Sequence, residues 1–228
     1  MKSLHNLFNL FYPNNCVCCE QLLLDQERLI CLECRFDLPF IDNGNYESNL
    51  LTQTLEGRVI IEQGASFLYY HPIGKVKKLM HQLKYKNNQE VGEFFGNWFG
   101  KKLLESGVFT EIDYIIPVPL HKKKLRKRGY NQLTKFGEIL GEILEISYLE
   151  NVLIRTSVSK TQTFKKRMER FKNIETKFNN IHKDILNNKH VLLIDDVVTT
   201  GATLEACCKE ILKSENVKIS IVTLALTE

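Results

Sequence analysis

HVLLIDDVVTTGATLEACCKEIL, residues 190–212, decides how this chain is read. Four apolar residues, Val191 to Ile194, run straight into two adjacent carboxylates, Asp195 and Asp196. So short an apolar run bounded by polar residues suits a strand buried on both faces, as in parallel sheets. A small-residue bend follows, Thr199-Thr200-Gly201-Ala202-Thr203, and then a helical pattern over ATLEACCKEILK. Gly201 permits a tight turn and close backbone approach. The helix behind it offers N–H groups without intrahelical partners and the positive end of its dipole. With three threonine hydroxyls added, the bend is shaped for a phosphate monoester. It is neither a Walker loop, having no Gly-Lys-Ser/Thr, nor a G-x-G-x-x-G turn.

The acids narrow the ligand. Beside a phosphate cradle they repel a bare phosphate, but they suit a ligand whose phosphate adjoins neutral hydroxyls. Ribose 5-phosphate is such a ligand: the bend takes the phosphate and the acids accept from the 2- and 3-hydroxyls. If the sugar also carries a 1-pyrophosphate with magnesium, the acids help electrostatically too.

Upstream, DYIIPVPL (113–120) reads as a short strand stopped by Pro117 and Pro119. HKKKLRKRGYNQ (121–132) follows, with six Lys and Arg and no acid, and reads as a basic loop able to hold the pyrophosphate. KTQTFKKRMERFK (160–172) holds six more, opposed only by Glu169. Residues 156–170 are polar without apolar period and read as a loop leading into a short helix, with 157–167 a candidate lid.

The remaining pattern alternates strand and helix. RVIIE (58–62) and ASFLYY (65–70), separated by Gln63-Gly64, are expected to form a hairpin. Ile73, Val76, Leu79, Met80 and Leu83 recur at helical spacing. Residues 91–105 repeat that pattern, with Gly92, Gly96 and Gly100 making one thin face where another element can approach. Tyr130, Leu133, Phe136, Leu140, Ile143 and Leu144 mark a further helix over 129–144, and strands are expected at 151–155 and 217–226. The fold class is therefore α/β, with a mostly parallel sheet flanked by helices. In such sheets ligands sit beyond the carboxyl ends of the strands, which can bring the acids and the basic loop to one crevice.

The amino end differs. Cys16-Val-Cys-Cys19 and Cys31-Leu-Glu-Cys34 are two C-x2-C knuckles eleven residues apart. Four thiolates so spaced can surround one tetrahedral zinc, with QLLLDQERLI between them as a short hairpin, a zinc ribbon. Cys18 is left over and can stand in for Cys16 or Cys19. Cys207 and Cys208 read as small packing residues. The boundary is placed near residue 45, giving a ribbon over 1–45 and the α/β domain over 46–228. At 228 residues and net charge +4, with no signal-peptide pattern and no apolar run long enough for a membrane span, the chain reads as cytoplasmic.

LLIDDVVTTGATL resembles the phosphoribosyl-pyrophosphate (PRPP) motif of type I phosphoribosyltransferases. IIPVPLHKKKLRKRGYNQ and LMHQLKY resemble the pyrophosphate-loop and upstream regions of the ComF branch, and KTQTFKKRMERFKN its flexible segment. The four-cysteine ribbon also fits ComF-like proteins. The resemblance covers nearly the whole chain. It implies the type I phosphoribosyltransferase fold and PRPP bound with Mg2+ by Asp195, Asp196, Thr199, Thr200, Gly201, Ala202 and Thr203. It implies a pyrophosphate loop of Val118, Pro119, Leu120, His121, Lys122 and Arg128, and flexible-loop residues Lys160, Gln162 and Arg170. It further implies zinc on Cys16, Cys19, Cys31 and Cys34, and a part in competence. Two functions stand beside each other: phosphoribosyl transfer with pyrophosphate release, and an adaptor for single-stranded DNA or an uptake helicase regulated by PRPP. No general base and no acceptor pocket can be read.

Overall fold

The structure, a computed structural model, describes residues 14–85, 88–157 and 176–228. Lys160, Gln162, Arg170 and most of the expected lid lie outside the described residues.

Five strands form the main sheet: β1 (Gly64–Tyr69), β2 (Tyr114–Pro117), β3 (Ser147–Tyr148), β6 (His190–Val198) and β7 (Lys218–Leu226). Their order is β1-β7-β6-β2-β3 and every pairing is parallel. Val191 to Ile194 on β6 are fully buried, as are Ile221, Val222, Leu224 and Ala225 on β7. This follows from a central position, since helices cover both faces of such a sheet. β4 (Leu153–Ser157) and β5 (Thr176–Asn180) pair antiparallel in a separate two-stranded sheet.

The helices are α1 (Leu32–Phe36), α2 (Leu50–Leu55), α3 (Lys75–Tyr85), α4 (Glu90–Ser106), α5 (Lys122–Arg128), α6 (Thr134–Leu144) and α7 (Ala202–Ile211). The thin glycine face of α4 lies against α6. A Cβ on Gly96 would stand 2.9 Å from Ile139 Cβ, and one on Gly100 would stand 2.9 Å from Ile143 Cδ1. The adjoining stripe of α4 buries Phe95, Phe99 and Leu103 almost completely, worth roughly 1.5–3 kcal/mol for each side chain removed from water. Phe67 of β1 stacks on Phe99 with ring centroids 4.6 Å apart.

Five expectations are corrected. Residues 58–62 form no strand and Gln63-Gly64 is no hairpin turn; β1 instead pairs in parallel with β7, Gly64 opposite Ile221. Ile60 is exposed rather than core, and so is Ile73, which precedes α3 instead of lying on it. The strand expected at 151–155 starts at Leu153 and belongs to the small antiparallel sheet, not the main one. The segment between the cysteine knuckles is held by isolated bridges, Asn15 to Leu22 and Arg28 to Ile30, and forms no regular hairpin. The basic stretch is not a loop: Lys122–Arg128 is a helix, capped by His121, whose Nδ1 accepts from the Lys123 N–H at 3.1 Å. The helix at 129–144 starts only at Thr134.

Candidate functional site

β6 runs four residues past its partner β2. The β2 ladder ends with Pro117 opposite Ile194 and one further bond, from Val118 N–H to the Ile194 carbonyl at 2.9 Å. Pro119 has no N–H to donate, so the ladder stops and the chain turns away. On that side the edge of β6 from Asp195 onward is unpaired with β2, while β7 continues beside it to Val198. The acids are thus inside the strand and not after it, at the point where the sheet opens.

Successive strand residues point to opposite faces. Asp196 faces α3 and the α5–α6 connection: its Oδ1 lies 3.0 Å from Lys84 Nζ and its Oδ2 accepts from Gln132 Nε2 at 2.7 Å. Gln132 in turn accepts from Arg128 at 2.6 Å, and the Arg128 guanidinium stands 5.0 Å over the Tyr85 ring. Tyr130 anchors this corner by donating to the Leu83 carbonyl at 2.7 Å. Asp195 faces the α7 side, accepting from the Asp196 N–H at 2.8 Å. Burial first, and then the charge of Asp196, push its carboxyl up to about 8, although the Asp196 N–H, Lys84 and Arg155 pull it down. Burial and the Asp195 charge hold the Cys207 thiol well above its usual range. Both Cys207 and Cys208 are fully buried, in keeping with packing.

The bend reaches α7 through Gly201, whose φ of 72° lies in the left-handed region that a residue without Cβ adopts freely. No side chain caps α7, so its leading N–H groups remain available. Thr199, Thr200 and Ala202 are exposed and Thr203 half-buried. The bend is buttressed by contacts that no motif announces. Arg58 donates to the Thr200 carbonyl at 2.6 Å, and a Cβ on Gly201 would come within 3.0 Å of Leu55 and Thr54 of α2.

Val118 and Pro119 are buried, Leu120 and His121 half-buried, Lys122 exposed and Arg128 half-buried. Of the expected pyrophosphate-loop residues, Arg128 is the one linked to the acids, through Gln132. His121 accepts at Nδ1 from the Lys123 N–H as the cap of α5. Sequence reasoning missed Lys84, Gln132 and Arg58. The family-like segment LMHQLKY contained the first of these without assigning it.

At the amino end, the sulfurs of Cys16, Cys19, Cys31 and Cys34 all lie within 4.8 Å of one another, and those of Cys19 and Cys31 are 3.7 Å apart. Zinc–sulfur bonds of about 2.3 Å at tetrahedral angles separate sulfurs by about 3.8 Å, so the set fits a tetrahedral metal. Burial pushes the Cys16 thiol up, but N–H groups of Cys19, Cys31 and Cys18 outweigh it and bring it down to about 6. Burial and the neighbouring sulfurs push Cys34 up, a crowding that a divalent cation relieves. Cys18 is outside the cluster: its sulfur approaches the Lys75 carbonyl at 4.0 Å and burial pushes its thiol up to about 12. No helix among the described residues is long and apolar enough to cross a membrane.

Comparison with known proteins agrees with this geometry. The phosphoribosyl transferase domain family matches residues 136–227, which contain the acids, the bend and α7. The DNA utilization protein YhgH of Escherichia coli O157:H7 is 26% identical over 152 residues, 65% of this chain and 66% of that protein. Competence protein ComFC of Bacillus subtilis is 28% identical over 171 residues, 73% of this chain and 65% of that one. Competence protein F of Haemophilus influenzae is 35% identical over 96 residues, 42% of each chain. The chain thus spans about two thirds or less of the length of these relatives.

Proposed function

From the premise that this chain is a ComF-like protein of the phosphoribosyltransferase family, we propose that it binds PRPP, with magnesium as part of the substrate, at the carboxyl end of β6. The observation that carries the reading is the succession of two buried acids, a left-handed glycine and an uncapped ten-residue helix within residues 195–211. The 5-phosphate sits on the leading amides of α7, with Thr199, Thr200 and Thr203 as hydroxyl donors. Asp195 and Asp196 accept from the ribose hydroxyls. The pyrophosphate lies toward Val118–Lys122 and Arg128, where β2 turns away.

In the transfer reaction an acceptor nucleophile bonds to C1 while the C1–oxygen bond breaks and its electron pair leaves on pyrophosphate. Charge grows on the sugar and the leaving group together, so fixed charges around both stabilise the transition state. Asp195→Asn combined with Asp196→Asn should abolish PRPP binding in calorimetry with magnesium present; affinity equal to that of the unaltered protein refutes the site. Incubation with PRPP, magnesium and a panel of bases and nucleotides, read by pyrophosphate release, tests turnover.

The four cysteines hold structural zinc, which ties two knuckles that have no regular hairpin between them. The relatives' names support a part in competence or DNA utilization, and this reading puts the protein in the cytoplasm. A second reading, an adaptor for single-stranded DNA, is favoured by α5, which exposes Lys123, Lys124 and Lys127 and contains no acid. Charge reversal at these three lysines should weaken DNA binding and flatten its salt dependence. Unchanged affinity at low salt removes that reading.

A further inference from the structure

Lys84 is the penultimate residue of α3, in the stretch LMHQLKY. Its ammonium pairs with Asp196, 3.0 Å from Oδ1. The pair is sheltered: the Lys84 side chain is 23% exposed and that of Asp196 8%. A lysine that merely balanced a surface acid would not need such a position, since exposed pairs contribute little.

The arrangement also leaves donors in reserve. An ammonium has three N–H groups, and among the described residues one partner, Asp196, is present. Arg128 stands behind Gln132 in the same corner, so two cations converge on the face that Asp196 presents, while Asp195 faces the other way. Two neighbouring carboxylates repel an anion. Lys84 offsets that repulsion directly at Asp196, on the side where β2 turns away and the sheet opens, while Arg155 acts on Asp195. The 5-phosphate is served by α7 and gains nothing from it.

We propose that Lys84 is a specificity-determining residue: its ammonium, poised on Asp196, selects a pentose phosphate bearing a second anionic group at C1 over one bearing the 5-phosphate alone. The inference rests on the reading of this site as a PRPP pocket. The held cation costs little further ordering when the ligand arrives, which is how preorganisation raises affinity. The acid keeps lone pairs for a sugar hydroxyl, because each carboxylate oxygen accepts more than one hydrogen bond.

The experiment titrates the full chain and its Lys84→Met and Lys84→Arg variants with magnesium PRPP and, separately, with ribose 5-phosphate. Met keeps the apolar stem and removes the charge. Loss of a charge-assisted contact predicts PRPP binding weaker by roughly 10- to 100-fold in Lys84→Met, with ribose 5-phosphate within about twofold of its original affinity. Lys84→Arg should restore most of the PRPP affinity. Parallel loss for both ligands, accompanied by a lowered Tm, identifies a structural lysine and overturns the inference while leaving the pocket. No loss for either ligand overturns it likewise. An unaltered protein that binds neither ligand removes the pocket itself, and the selectivity with it.

Discussion

Replacing Asp195 by Asn tests the electrostatics of the site without any ligand. Asp195 is buried, and burial followed by the Asp196 charge lifts its carboxyl from 3.8 to about 8. A carboxyl lifted in this way binds its proton more tightly in the folded chain than in the unfolded one. Folding therefore takes up a proton between those two values, and stability is lost as pH rises from about 4 toward about 8. Asn carries no such penalty, and its Oδ1 can still accept the 2.8 Å bond from the Asp196 N–H. At about 1.4 kcal/mol per pH unit, the ceiling on the penalty is about 1–2 kcal/mol at pH 5 and about 4 kcal/mol at pH 7. Relaxation and water penetration reduce both, so the variant should gain about 1–3 kcal/mol over the original at pH 7 and less than half as much at pH 5. Paired urea denaturation of the two proteins in the same buffers cancels the titration of the other groups. A gap that stays flat or narrows as pH rises, or a variant less stable at pH 7, refutes the argument. A gap that widens means that an acid costly to the fold is retained, as expected where stability yields to ligand binding.

The bend and the cysteine cluster make their own predictions. Gly201→Ala places a Cβ in left-handed backbone and within 3.0 Å of Leu55 and Thr54; at about 1–2 kcal/mol for the conformation and about 1 kcal/mol or more for the crowding, Tm should fall by roughly 5–10 °C in calorimetry, and an unchanged Tm contradicts the observed geometry. Cys34→Ser should lose zinc, whereas Cys18→Ser should keep close to one equivalent by elemental analysis, since the Cys18 sulfur faces the Lys75 carbonyl. Equal loss from both variants would move Cys18 into the ligand set.

What the sequence disclosed is what local physics governs. Val191–Ile194 and Lys218–Leu226 are largely apolar runs of strand length, and they lie in β6, the central strand, and in its neighbour β7. The glycines at every fourth position of α4 predict close approach by another element, and α6 supplies it. The C-x2-C spacing placed four sulfurs together. The failures share a cause. A β-rich stretch marks a strand without naming its partner: the nearest neighbour in sequence is the simplest expectation for β1, whereas β7, its partner, lies about 150 residues on. Lys122–Arg128 has no buried residue and hence no apolar stripe to reveal a helix.

The acids of the candidate site were legible and their partners were not. Asp195 and Asp196 stand out because a carboxylate in an apolar run is rare, whereas a lysine at the end of an amphipathic helix is ordinary and Lys84 gave no local signal. Only the fold shows what α3 does. At its amino end Lys78 donates to the Cys18 carbonyl at 2.6 Å and Lys75 pairs with Asp37, while at its carboxyl end Lys84 holds Asp196. Eleven residues thus join the cysteine-bearing segment to the acid pair. Such a connection arises from a helix crossing between two sites, and no motif spacing records it.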